Sequence, residues 1–188
     1  MLKQLTLTAL TALLILGCSD SKKASQTDSA AEALIAKTTY TLDGIDGSKF
    51  EVTKAGMDFS ITGTPEAVVV YDIFATWCPP CRAEAPHLSS LQEKFAGKVK
   101  FIGVSIEDGN DNAFYQRFAD DIGVKYTLVN SPDNQKLSRA MAAAIGVGQD
   151  FPIPLMVIYK DGHLVKYYSG LVPEEMIESD LKQLTEAQ

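Results

Sequence analysis

The chain contains few cysteines and histidines, the side chains that hold most structural zinc sites. Only three cysteines and two histidines occur among its 188 residues. Structural zinc needs four ligands, and a Cys-x-x-Cys pair at Cys78 and Cys81 leaves only His87 and His163 to complete such a set. A c-type haem site is also excluded, because Arg82 stands where that motif requires a histidine. We therefore expect no metal and no cofactor beyond the cysteines themselves.

Positive charge is also scarce. The chain carries 17 basic and 24 acidic residues, which gives a formal net charge of −7. An acidic protein is a poor candidate for binding nucleic acid or an anionic lipid surface. The charges are scattered along the chain, a pattern typical of a solvated surface. We expect no nucleic-acid partner.

No apolar run is long enough for a comfortable bilayer span, which needs about 20 residues. Residues 5–16 form an apolar stretch interrupted only by threonines, and Lys3 precedes it. This pattern is typical of a cleaved signal segment. The stretch ends in Gly17-Cys18 and resembles the cleavage box of bacterial lipoproteins, in which the cysteine becomes lipid-modified. By that resemblance residues 1–17 are a signal peptide and Cys18 is the lipidation site; an ordinary secretory cleavage or an uncleaved anchor is the alternative.

Residues 18–37 are predicted to comprise the lipidated cysteine and a flexible tether. The segment is rich in serine, alanine, lysine and other small or polar residues, a composition typical of linkers. As a coil it would span about 25 Å. Ser19, rather than aspartate, follows Cys18, which by resemblance favours the outer over the inner membrane. Residues 38–188 remain for one domain with a single core.

The apolar patterns predict a domain in which strands and helices alternate. Residues 39–61 alternate and contain two Asp-Gly pairs, which predicts a β-hairpin or two short strands. Asp161-Gly162 predicts a type I′ turn. The order predicts an α/β sandwich with a mixed central sheet. The predicted strands after the hairpin are residues 68–74, 99–105, 126–129, 155–159 and 164–169, and the predicted helices are residues 81–95, 111–122, 135–145 and 174–184.

Cys78 and Cys81 lie where a strand gives way to a helix. Positions i and i+3 share a helix face, so two thiols there can form one disulfide. The helix N-terminus favours a thiolate at Cys78, and Pro79 and Pro80 suit a first turn whose N–H groups have no partner. We expect Cys78 to attack and Cys81, as the more buried thiol, to resolve the mixed disulfide. A structural disulfide is the alternative, but so short a loop stabilises a fold little.

Three charged residues near the pair bear on its chemistry. Arg82 adds a positive charge nearby, whereas Glu84 suits the first helical turn but opposes a thiolate. Asp72 lies inside an apolar run. A buried proton acceptor is therefore favoured at Asp72 over a surface acid.

These residues together resemble thioredoxin. The Trp-Cys-x-x-Cys run follows a central strand, and the spacing from Pro154 to the hairpin glycine matches that of the family's cis-proline; Pro152 is two residues too far. Asp72 stands six residues before Cys78, where the family carries its buried aspartate. Leu155 departs from the threonine that commonly follows the cis-proline.

Within the superfamily the chain is similar to membrane-tethered periplasmic reductases of the TlpA, ResA and CcmG type. The similarity covers the run at residues 75–86, the N-terminal hairpin and an extra helix–strand segment between residues 109 and 130. It implies a thioredoxin-like three-layer sandwich with a mixed central β-sheet and an N-terminal β-hairpin extension. It also implies a thiol-tuning role for Glu84 and a substrate groove formed by Trp77, Pro79, Pro80, Ile153 and Pro154.

The resemblance predicts a lipid-anchored, periplasm-facing thiol–disulfide oxidoreductase that reduces protein disulfides. Apocytochrome c is one candidate substrate. An inner-membrane protein would supply the electrons, and the domain would act as a monomer. Two alternatives stay open: a disulfide donor or isomerase working in the opposite direction, and a redox-inert lipoprotein that binds a ligand in the groove at Pro154.

Overall fold

The computed structural model describes residues 37–186, and twelve elements follow one another within that range. The predicted signal peptide, Cys18 and nearly all of the tether lie outside the described residues. The strands are β1 (Thr38–Asp43), β2 (Lys49–Ala55), β3 (Asp58–Thr62), β4 (Val68–Phe74), β5 (Val99–Ser105), β6 (Thr127–Val129), β7 (Leu155–Lys160) and β8 (His163–Ser169). The helices are α1 (Pro79–Lys94), α2 (Asn112–Ile122), α3 (Asn134–Ala144) and α4 (Glu174–Glu186).

Five strands form the central sheet in the order β6-β5-β4-β7-β8. Strands β4, β5 and β6 are parallel, whereas β7 and β8 run antiparallel to their neighbours. Every residue of β4 is buried, as expected for a Val- and aromatic-rich strand covered on both faces. The predicted mixed central sheet is therefore confirmed.

The two faces of the sheet bury separate cores. Side chains alternate between faces along a strand, so Val70 and Phe74 of β4 pack under α1, α2 and α4. Tyr71 and Ile73 point the other way, toward α3 and the N-terminal strands. The predicted three-layer sandwich is confirmed. Asp72 shares its face with Val70 and therefore lies on the side covered by α1.

The N-terminal extension has one strand more than the predicted hairpin. Strands β1, β2 and β3 form an antiparallel sheet. The second turn depends on Gly56, which has a φ of 65° between the paired residues Ala55 and Asp58 and allows the chain to reverse there. The sheet contributes a set of apolar side chains to the second core: Tyr40, Leu42, Phe50, Val52 and Phe59.

The turn between β7 and β8 has the geometry that the sequence predicted. Asp161 and Gly162 have φ values of 52° and 82°, and a type I′ turn needs positive φ at both central positions. The N–H of Phe59 in β3 donates to the carbonyl of Gly162 at 2.8 Å. The turn therefore joins the extension to the central sheet.

Candidate active site

Cys78 and Cys81 form a disulfide at the N-terminus of α1. Cys78 is the N-cap residue, and its Sγ accepts a hydrogen bond from the backbone N–H of Cys81 at 3.3 Å. Pro79 and Pro80 occupy the first two helical positions, where a missing N–H costs no intrahelical bond. The N–H of Cys81 is therefore the first backbone donor of α1, and it donates to the Cys78 sulfur.

Burial does not distinguish the two cysteines. Cys78 is 2% exposed and Cys81 is 4% exposed. The expectation that Cys81 is the more buried residue is therefore wrong for the disulfide state, because Cys78 belongs to the same apolar core as Cys81. The order of attack remains a prediction from the position of Cys78 at the N-cap.

The Ile153–Pro154 peptide bond is cis, the sole cis bond within residues 37–186. The choice of Pro154 over Pro152 as the cis-proline is therefore confirmed. The carbonyl oxygen of Ile153 lies 3.9 Å from the Sγ of Cys78. This loop contacts the disulfide directly, so a segment bound to Cys78 would lie against it.

Three of the predicted groove residues flank the disulfide in different environments. Trp77 is 66% exposed, so it is not a packing residue. Pro79 is exposed and Pro80 is half-buried. An exposed aromatic ring next to Cys78 is available to a partner, and a substrate-contact role for Trp77, Pro79 and Pro80 stays a prediction.

Glu107 fixes the turn that precedes Trp77, and sequence reasoning missed it. Its carboxylate accepts the N–H of Thr76 at 2.6 Å and the Thr76 hydroxyl at 3.0 Å. Its own backbone N–H donates to Ser105 Oγ at 3.1 Å. An acidic residue two positions beyond the last residue of a buried strand was the available signal, since such strand ends meet at one edge of the sheet.

Arg82 is committed to partners other than the thiols. Its guanidinium donates to the carbonyl of Thr76 at 3.3 Å, pairs with Asp121 at 3.3 Å and lies 5.4 Å from the centroid of Phe118. The positive charge that the sequence led us to expect beside Cys78 is therefore largely balanced by the Asp121 carboxylate.

Asp72 is buried beneath the motif, as predicted, with 3% of its surface exposed. Burial raises the pKa of Asp72 to about 6, although the hydrogen bond from Tyr126 acts to lower it. The Tyr126 hydroxyl donates to Oδ2 at 2.7 Å, whereas Oδ1 has no hydrogen-bond partner. A carboxyl with this pKa can exchange its proton near neutral pH.

Glu84 is a second buried carboxyl and does not lie in the first turn of α1, as the sequence led us to expect. Because α1 begins at Pro79, Glu84 belongs to the second turn, three residues after Cys81 and on the same helix face. It is 2% exposed. Burial and the charge of Asp72 raise the pKa of Glu84 to about 8. Neither of its oxygens makes a hydrogen bond of good geometry, although the nearby Val172 N–H lowers the pKa in part.

Tyr126 reaches Asp72 through a gap left by Gly103. In the paired strands Gly103 stands opposite Asp72. A Cβ at Gly103 would lie 3.0 Å from Cε2 of Tyr126 and 2.5 Å from Cδ2 of Leu128. Sequence reasoning missed Tyr126, and a glycine inside an apolar strand was the available signal for close approach by another group.

The arrangement suits two-electron exchange between thiols and a disulfide. Two cysteines meet at a helix N-terminus, and two buried carboxyls with raised pKa values lie behind them.

His87 and His163 are exposed; His163 pairs with Asp58 at 3.0 Å. Within residues 37–186 no helix is long and apolar enough to cross a bilayer.

Comparison with known proteins agrees with this arrangement. The family model described as Redoxin matches residues 28–185. Thioredoxin C-2 of Corynebacterium nephridii is 29% identical over 118 residues, which cover 63% of this chain and 80% of that protein. The thiol-disulfide oxidoreductase ResA of Halalkalibacterium halodurans is 31% identical over 114 residues, or 58% of each protein.

Solved structures share the architecture as well. A thiol:disulfide interchange protein of the thioredoxin family from Chlorobium tepidum TLS superposes with a TM-score of 0.59 and 21% identity. The match covers 78% of this chain and 93% of that one. The chain belongs to the Redoxin family and has a thioredoxin-like fold.

Proposed function

We propose that this protein is a lipid-anchored thiol–disulfide reductase of the bacterial cell envelope. The observation that carries the proposal is the Cys78–Cys81 disulfide at the start of α1, with the cis Ile153–Pro154 loop against the Cys78 sulfur. The similarity to ResA, named a thiol-disulfide oxidoreductase, supports the same chemistry.

The reducing direction is supported by how weakly the site stabilises a thiolate. Pro79 and Pro80 remove two backbone donors from the helix N-terminus, and Asp121 balances the charge of Arg82. The ionised Asp72 carboxylate behind the motif further disfavours negative charge on the sulfur. The pKa of ~3.5 found in the strongest periplasmic oxidant is therefore not expected. A couple near thioredoxin's, about −270 mV, fits better than one near −120 mV.

The two buried carboxyls would have different protonation states at neutral pH. With a pKa of about 6, Asp72 is ionised at neutral pH and can accept the proton of Cys81 as the mixed disulfide resolves. With a pKa of about 8, Glu84 keeps its own proton under the same conditions. A neutral Glu84 avoids a second buried charge next to the thiols.

The proposed substrates are disulfide-bonded proteins of the envelope, with apocytochrome c as one candidate. The compartment is oxidising, so an inner-membrane donor must return electrons to the cysteines. The Gly17-Cys18 box supports lipid anchoring with the domain facing the periplasm, the outer membrane being favoured. The domain would act as a monomer. These assignments come from the sequence and from family resemblance.

Equilibration with glutathione buffers of defined ratio tests the proposal. Trp77 is the only tryptophan of the chain and precedes Cys78, so its fluorescence can report the redox state. We expect a midpoint near −270 mV; a value more positive than about −180 mV would favour a disulfide donor or isomerase. A Cys78→Ser variant should give no redox transition. Failure of the parent to exchange with any model disulfide would favour an inert binding protein.

A further inference from the structure

A groove opens beside Trp77, on the side of the active site that faces α2. Its volume is about 320 Å³. Trp77 and Arg82 line it from the active-site segment, and α2 contributes Phe114, Arg117, Phe118 and Asp121. We call it the α2 groove. Because Trp77 directly precedes Cys78, a segment attached to Cys78 has this groove within reach of a few residues.

One positive charge in the α2 groove is uncommitted. Arg82 and Asp121 pair with each other at 3.3 Å. Arg117, one helical turn before Asp121, is exposed and makes no ion pair or hydrogen bond with any of residues 37–186. The chain as a whole carries a net charge of −7, whereas Arg117 gives the groove it shares with Trp77 an unpaired positive charge. A guanidinium can hold a carboxylate through two parallel hydrogen bonds.

The walls of the α2 groove are aromatic. Phe118 is buried and stacks on Phe74 with ring centroids 5.5 Å apart, and it supports the Arg82 guanidinium. Phe114 is half-buried, and the Trp77 ring is largely exposed. Aromatic residues and arginine are the types that dominate binding energy at protein interfaces. The groove therefore combines apolar contact area with one charged anchor.

We propose that the α2 groove selects protein substrates that carry an aspartate or glutamate within a few residues of the cysteine under attack. The carboxylate pairs with Arg117, and the neighbouring chain lies against Trp77 and Phe114. This inference rests on the proposed disulfide-reductase function and names a substrate class for it.

The α2 groove would bind the substrate during a two-electron thiol–disulfide exchange that needs no further reagent. The Cys78 thiolate attacks one sulfur of the substrate disulfide, and the other substrate sulfur leaves as a thiolate. The Cys81 thiolate then attacks the Cys78 sulfur and releases the second substrate thiolate. Two electrons pass from the protein dithiol to the substrate, and the product is the Cys78–Cys81 disulfide of the structure.

Three tryptophan-free peptides test the inference. They share one cysteine, used as the disulfide-linked peptide dimer, and carry glutamate, glutamine or lysine two positions beyond it. The full-length protein, reduced beforehand, is mixed with each dimer, and Trp77 fluorescence gives the rate constant of oxidation. We expect the glutamate peptide to react about fivefold faster than the lysine peptide, as for one exposed charge pair. Arg117→Gln should bring this ratio close to one, and Arg117→Glu should invert it.

The matched control is Arg139→Gln. Arg139 is an exposed arginine of α3 that bonds to Gln135 and does not line the α2 groove, so the ratio should stay at the parent value. Because both rates in the ratio are measured on the same variant, differences between variants in the fraction of active protein cancel. Equal rates for all three peptides in the parent, or an unchanged ratio in Arg117→Glu, would overturn the inference and leave the exchange chemistry standing. If the protein reacts with none of the peptides, the proposed function is overturned, and the inference with it.

Discussion

Cys78 and Cys81 are similarly buried, yet different groups surround their sulfurs. The Cys78 sulfur faces the Cys81 N–H and the Ile153 carbonyl, at the edge where Trp77 is exposed. We expect Cys78 to form the mixed disulfide and Cys81 to resolve it. Cys81→Ser should therefore trap partners covalently on non-reducing gels of envelope extracts, and Cys78→Ser should not. Equal trapping by the two variants would contradict this order.

The proton-acceptor role of Asp72 predicts a pH profile. The resolving rate should rise with pH as Asp72 ionises near its pKa of about 6. Asp72→Asn should remove this inflection and slow the step at pH 7 by about a hundredfold. It should also stabilise the fold by about 1 kcal/mol, because a desolvated acid becomes neutral. Stopped-flow fluorescence and urea unfolding measure these effects.

Tyr126→Phe provides the contrasting variant for Asp72. Loss of the 2.7 Å hydrogen bond removes the interaction that lowers the pKa of Asp72. The inflection should then move to higher pH without disappearing. Identical profiles in the parent, Tyr126→Phe and Asp72→Asn would show that Asp72 takes no part in proton transfer.

The buried carboxyl of Glu84 should make the oxidised protein less stable as pH rises. The unfolded carboxyl releases its proton near its ordinary pKa of 4.5, whereas the folded one keeps it to about 8. Between these values the folded state binds more protons, so the free energy of unfolding falls with increasing pH, by on the order of 5 kcal/mol in total. Glu84→Gln should flatten this dependence in urea unfolding between pH 5 and 8. Glu93→Gln, an exposed acid of the same helix, is the control and should leave it unchanged.

At the site, sequence reasoning identified residues whose chemistry is local and missed those brought in by the fold. Cys78, Cys81 and the cis-proline follow from short motifs and one spacing. Tyr126 lies 54 positions from Asp72 along the chain, and no motif connects them. Glu107 was also not predicted, because its partner Thr76 follows β4 whereas Glu107 follows β5.

At the scale of elements, residue 103 of β5 must lack a side chain so that Tyr126 can reach Asp72. An alanine Cβ would lie 2.5 Å from Leu128 and 3.0 Å from Tyr126, so these side chains would have to move. We expect Gly103→Ala to lower the free energy of unfolding by about 2 kcal/mol. It should also shift the Asp72 inflection in the same direction as Tyr126→Phe. Full stability with an unchanged pH profile would show that the contact relaxes easily.

The regular elements were predictable because each carries a strong local pattern. The apolar β4 and β5 have the predicted bounds, and every helix begins within two residues of its predicted start. The exception is β3. Apolar residues alternate on both sides of Gly56, so a hairpin was predicted without its second turn, which a positive φ at Gly56 and pairing of Ala55 with Asp58 set.

For the whole molecule, the residues that carry the thiol chemistry all lie within residues 37–186. The disulfide, both buried acids and the cis-proline loop belong to the layers around the central sheet. The proposed anchor, Cys18, lies outside the described residues and precedes a polar segment of linker-like composition. Changes at the anchor should therefore alter where the protein is found and leave its thiol chemistry intact.

Cys18→Ala tests this separation. Stable anchoring by lipid needs two membrane signals, which a diacylglycerol and an N-acyl chain on Cys18 would supply together. The variant should either leave the membrane fraction or accumulate as an uncleaved precursor, and it should still exchange thiols with a model disulfide. Ser19→Ala is the matched control and should stay with the membranes. A Cys18→Ala protein that is processed and fractionates with membranes like its parent would show that Cys18 carries no lipid.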